Sequence, residues 1–182
     1  STIAAAGKAP VLTVVARPRD AVQWALYYPP VLYLPPGETP VGVAGDARFL
    51  AYRASQMLSV GRVDEAKADI DQALRIDPNF SDALALQSII AVVQNEKEKA
   101  LNQAQKAVAA DPQSATAQIA LSYARQARFD LEGARTSVEA AVKLDPENAI
   151  AWARLADLQA SFGELGKALE AAKKAESLAP DL

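Results

Sequence analysis

The chain of 182 residues contains no cysteine and no histidine. Without cysteine there is no disulfide, no thiolate metal ligand and no thiol nucleophile. Without histidine, the commonest general base and the commonest imidazole ligand are missing too. No GxSxG, GxGxxG, phosphate-loop or EF-hand spacing occurs either. A carboxylate-only active site remains open, but nothing marks one, so neither an enzyme nor a cofactor or metal is expected. The net charge of −3, with a pI near 5.1 and no block of like charge, argues against nucleic acid as the main partner. No run of 18 apolar residues is present, so no membrane span is expected.

What the chain does have is apolar residues, 51% of the total, much of it alanine, which suits close helix packing. It also has a ruler. Prolines stand at 78, 112, 146 and 180, spaced by 34, three of them in the pairs Asp77-Pro78, Asp111-Pro112 and Asp145-Pro146. Other columns keep that register: Ala66, Ala100, Ala134 and Ala168; Ala73, Ala107, Ala141 and Ala175; and the small residues Ala54, Ser88, Ser122 and Ala156. Within the last copy, Trp152, Leu155, Ala156 and Leu158 form an apolar stripe at helical spacing. Gly163 breaks that helix, a second is expected from about Leu165 to Leu178, and Pro180 cannot continue it. One unit therefore reads as helix–turn–helix.

The period, the small residue in the first helix, the alanine early in the second and the closing Asp-Pro resemble tetratricopeptide repeats over about residues 45–182. That resemblance implies an all-α, right-handed superhelical solenoid of four units, about 47–80, 81–114, 115–148 and 149–182, behind an N-terminal extension of residues 1–44. Unit three departs from the pattern at Gln118, where unit four has Trp152, and at Phe129, where units one and four have Gly61 and Gly163. A slightly different helix crossing is expected there. Pro180 falls where a further unit would begin, and the chain starts with serine, so it is expected to be a segment of a longer protein.

The family resemblance also implies a concave groove lined by first helices. Its floor would comprise Arg48, Ala51, Tyr52 and Ser55; Asp82, Ala85, Leu86 and Ile89; Thr116, Ile119, Ala120 and Tyr123; and Ile150, Ala153, Arg154 and Asp157. Relatives that grip a chaperone tail by its carboxylate carry Lys, Asn and Arg at columns matching Ala51, Ser55, Leu86, Thr116 and Ala120. None of those is present here, and serine and threonine alone lack charge-assisted bonds. An apolar peptide segment suits this floor better, with Tyr52, Ile89, Ile119 and Tyr123 as anchors. For Ile89 and Ile119, packing between repeats is an equal reading.

The stretch DAVQWALYYPPVLYLPP, residues 20–36, belongs to no repeat. A strand at 10–15, a helix at 20–28 capped by Asp20 and ended by Pro29-Pro30, and an extended Pro-rich segment are expected before residue 44. Trp24, Leu26, Tyr27, Tyr28 and Tyr33 would make a costly exposed surface unless they pack on something. They could cap the first repeat, lie in a groove of their own or a neighbouring copy, or border a missing upstream domain. A proline-rich ligand at Pro30–Pro36 lacks suitably placed basic residues. PRDAVQWALYYPP also resembles a junction that follows a FecR-like domain in bacterial envelope proteins, which leans towards an envelope or periplasmic location over the cytoplasm. The functional expectation is a scaffold or adaptor for a protein or peptide partner. The alternative is self-assembly through the extension, giving a homodimer.

Overall fold

The structure is a computed structural model and describes residues 46–179. The expectations for residues 1–44, including Trp24, Leu26, Tyr27, Tyr28 and Tyr33, lie outside the described residues. Among the described residues there are eight α-helices and no strand. None of these helices is long and apolar enough to cross a membrane. The described chain divides into two compact units, one ending at Ala83 and the other starting at Leu84.

The first unit contains α1 (Ala47–Ser59), α2 (Val63–Ile76) and the opening residues of α3 (Ser81–Val93). The second contains the rest of α3, then α4 (Lys97–Ala110), α5 (Ala115–Ala127), α6 (Leu131–Leu144), α7 (Ala149–Ser161) and α8 (Leu165–Leu178). The span of α8 is the one expected from Gly163 and Pro180.

The Asp-Pro pairs end helices by two bonds each. Proline cannot extend the helix, and the aspartate before it opens a tight turn in which the N–H three residues on donates to its carbonyl: Phe80 to Asp77, Ser114 to Asp111, Asn148 to Asp145. The same carboxylate accepts from the N–H two residues on, at 3.0 Å for Asn79, 2.9 Å for Gln113 and 3.2 Å for Glu147. The next helix is then capped. Asp46, Ser114 and Asn148, which share a column, each accept a backbone N–H from the first turn that follows.

Between paired helices the turn needs one left-handed residue, and all four copies have it. Gly61, Asn95, Phe129 and Gly163 stand 34 residues apart and adopt φ of 78°, 61°, 64° and 76°. Glycine does this without strain, asparagine with little, and phenylalanine at a cost of roughly 1–2 kcal/mol. Phe129 is held there while 83% exposed, with the Lys97 ammonium 5.0 Å from its ring centre. The departure at Phe129 is thus a change of residue within an unchanged turn conformation.

Small columns set the contact between helices. Ala66, Ala100 and Ala134 are wholly buried, as are Ala54, Ser88 and Ser122. Ser88 Oγ donates to the Ala100 carbonyl at 2.8 Å, an approach that no larger side chain would permit. Beside that contact, the four copies join their two helices differently. Arg53 forks onto Asp69 at 2.6 Å through both Nε and Nη2. At the matching register Gln103 donates to Gln87 at 2.6 Å. In the next copy Ser137 accepts from Arg125 at 2.9 Å. In the last, Leu155 and Ala171 meet in an apolar cluster with Ala134, Val138 and Leu158. One position thus accommodates an ion pair, an amide pair, a hydroxyl contact and a hydrocarbon contact.

Two outcomes are expected. Phe129→Gly raises stability by about 1 kcal/mol, read from the urea midpoint, because relief of the left-handed strain outweighs the lost ring contact; a lower midpoint contradicts this. Arg53→Leu strands Asp69, which is only 6% exposed, and lowers stability by about 3 kcal/mol. Adding Asp69→Ala, which copies the Leu155–Ala171 pair, recovers most of that loss, and a double variant no more stable than the single one refutes the equivalence.

Candidate peptide-binding face

The positions expected to line a groove lie on α1, α3, α5 and α7. In the first unit Arg48 and Asp82 are exposed, while Tyr52 and Ser55 are half-buried. Ser55 Oγ donates to the Tyr52 carbonyl at 2.7 Å, so its hydroxyl is already engaged by its own helix. That removes one of the few polar groups a carboxylate ligand could have used.

In the second unit three of the expected residues come together. Ile119, 5% exposed, is enclosed by Ala115, Ala141 and Ala151, and Tyr123 packs against the same cluster one turn later. Arg154 reaches from α7 to lay its guanidinium 3.9 Å from the Tyr123 ring centre. Its Nε donates to Ser122 Oγ at 3.2 Å, and its Nη2 donates to Gln126 Oε1 at 2.6 Å and the Ser122 carbonyl at 3.4 Å. All three acceptors are neutral. Burial pulls the Arg154 pKa below the ordinary arginine value, with Tyr123 and Asp157 acting in the opposite direction. Arginine nonetheless stays cationic, so the charge is held by a ring face and three dipoles.

The consequence for binding is specific. Arg154 is only 4% exposed and ties α5 to α7; it is not a spare cation on an open floor. Ile119 likewise belongs to the packing, as the alternative reading of that residue allowed. Tyr123 and Ile89 are half-buried, and Ile150 and Asp157 are exposed. Sequence reasoning missed the partners of Arg154, namely Ser122 and Gln126. The available signal was their one-turn spacing on the preceding first helix, bracketing the Tyr123 ring.

A second arginine fixes the far end of α7. Arg135 on α6 donates to both carboxylate oxygens of Glu164, at 3.0 and 3.3 Å, and sits 5.3 Å from the Phe162 ring centre. The Glu164 carboxyl is held below its ordinary pKa, chiefly by the bond from Lys167 and also by Arg135, against the opposing effect of desolvation.

Antiparallel helix pairs repeating every 34 residues, joined by a left-handed turn and closed by Asp-Pro, define a helical repeat protein. Residues 57–115 and 118–182, more than half of the chain, match the model of the tetratricopeptide repeat. The chain belongs to the tetratricopeptide repeat family. Its fold is similar to TTC0263, a thermophilic TPR protein of Thermus thermophilus, at TM-score 0.63 and 22% identity, over 75% of each chain. It is also similar to MamA from Desulfovibrio magneticus RS-1, at 0.54 and 22%, over 88% of this chain and 85% of that one. YrrB, a TPR protein, aligns at 0.52 and 23% over 75% and 71%. At these identities the likeness is one of fold. No curated protein matches the sequence.

Because its pKa is depressed on folding, Glu164 contributes stability above the ordinary glutamate value of 4.5, and that contribution is lost as the pH falls through the lower folded value. Glu164→Gln is therefore expected to lower the urea midpoint at pH 7, with the gap to the parent closing as the pH falls below that ordinary value. A gap that stays constant through that window contradicts the assignment.

Proposed function

We propose that the protein is a scaffold for protein–protein interaction, holding an apolar peptide segment against the exposed sides of its first helices. The observation that carries this reading is the state of Tyr123. The ring is fixed from one side by Arg154 at 3.9 Å and by the Ile119 cluster, yet stays half-buried. A rigid aromatic with an open flank loses little entropy on binding, and such residues dominate interface energetics.

In the same unit Ile89 is half-buried and Ile150 exposed, and taken by itself the first unit has the half-buried ring of Tyr52. Within the second unit, the exposed Asp157 adds a polar group. The engaged hydroxyl of Ser55 speaks against a carboxylate-gripping mode. Among proteins of similar fold, YrrB is described as having an unusual peptide-binding site. The same reading assigns no catalytic role to the chain.

Selection of random peptides, about 12 residues long and displayed on phage, against the full chain tests the reading. Peptides recovered are expected to carry two or more apolar residues and to lose about tenfold in affinity on Tyr123→Ala, a loss of about 1.4 kcal/mol. The helical circular dichroism should be unchanged. Peptides that bind Tyr123→Ala as well as the parent contradict the proposal.

A further inference from the structure

The last helix pair contains a cavity that none of the residues assigned to the peptide-binding face lines. It is an open hollow between α7 and α8, of about 480 Å³, lined by Trp152, Leu155 and Ala171. The repeat explains its origin. At the register of Leu155 and Ala171 the first two copies place longer polar pairs, Arg53 on Asp69 and Gln103 on Gln87, and the third has Leu121 and Ser137. Ala171 is too short to fill the same space. Gly166 widens the opening, since a Cβ built there meets nothing within 4 Å.

One buried polar group in this wall has nothing to bond to. Gln159, 9% exposed, lines the cavity, and its Oε1 makes no hydrogen bond. In the preceding copy the residue at the same register, Arg125, donates to Ser137 Oγ and to the Gly133 carbonyl, both at 2.9 Å. Ala171, which takes the place of Ser137, has no polar side-chain atom to offer Gln159. A buried acceptor left unmatched costs about 1–3 kcal/mol, and that loss is recovered when the Gln159 amide turns into the cavity to meet a ligand N–H.

The rim is cationic. Lys167 and Lys174 border the cavity with side chains 65% and 41% exposed. Lys174 has the exposed Glu147 carboxylate 3.7 Å away, and Lys167 shares Glu164 with Arg135. The one carboxylate lining the cavity, Glu170, is paired with Lys173 at 3.1 Å.

We propose that this cavity is a second peptide-binding site, selective for an apolar residue followed by an acidic one. The apolar side chain enters against Trp152 and Leu155, the Gln159 amide turns inward so that a backbone N–H donates to its Oε1, and the carboxylate competes with Glu164 and Glu147 for Lys167 and Lys174. The volume lies in the range of formed ligand pockets, about 300–1,000 Å³. A peptide is the one common ligand that supplies the hydrocarbon, the amide donor and the carboxylate at adjacent positions. This site stands independently of the face around Tyr123.

The test is a titration of the full chain with N-acetyl-leucyl-aspartyl amide, to about 10 mM, followed by amide and indole nuclear magnetic resonance. Saturable shifts are expected at the Trp152 indole N–H and at Gly166 and Ala171. The leucyl-asparaginyl analogue should bind about tenfold more weakly, as should the parent probe to Lys174→Glu. Gly166→Leu, which replaces glycine by a better helix former, should keep the helical circular dichroism and abolish the shifts. Absence of saturable shifts at these positions overturns the proposal, as does equal binding of the asparaginyl analogue or an undiminished Trp152 response in Gly166→Leu. Shifts confined to Ile89 and Tyr123 would also overturn it while supporting the other face.

Discussion

Paired helices meet here where side chains are no larger than serine. Ala66, Ala100 and Ala134 are wholly buried, as are Ala54, Ser88 and Ser122, and at Ser88 the hydroxyl touches the carbonyl of the opposing helix. An added methylene at any of these positions would force backbones apart in an interior that is already close-packed. Much else depends on that separation. With the helices so near, the turn between them needs a residue in the left-handed region, and the chain places one there even where that residue is phenylalanine.

Because the small columns fix the framework, neighbouring positions are released to vary. The join beside the contact runs from the Arg53–Asp69 ion pair to the Leu155–Ala171 hydrocarbon contact. In that last copy the short Ala171 leaves space, and the Oε1 of Gln159 lacks a partner. Arg154 illustrates the same freedom from the other side. Its column holds Tyr52, Leu86 and Ala120 in the three earlier copies, none of them a cation. The tie that Arg154 makes to Ser122, Tyr123 and Gln126 is therefore particular to this part of the chain.

The periodic features were legible in the sequence because the physics behind them is periodic. Proline cannot continue a helix wherever it stands, and the columns at Ala66, Ala100 and Ala134 announce close approach whatever surrounds them. Phe129 was readable as a departure, but its φ was not, since the same turn could have relaxed around it. Charges misled more. Arg154 has the composition of a groove cation, and only the geometry reveals that Tyr123 and Ser122 already hold it. Burial of a long side chain depends on which neighbours leave room, and spacing along one helix does not encode that. The cavity beside Gln159 was invisible for a related reason, because a void arises from atoms that are missing on two helices at once.

Function in such an architecture resides in what the framework leaves exposed. On the function proposed here, a ligand lies across the open flank of Tyr123, with its neighbours already rigid. Hydrogen–deuterium exchange of the full chain, with and without a peptide selected for binding, tests this most directly. Slowed exchange centred on residues 116–126 and 150–157 is expected, with no change in helix content. Protection confined to other helices, or none at saturation, would contradict it.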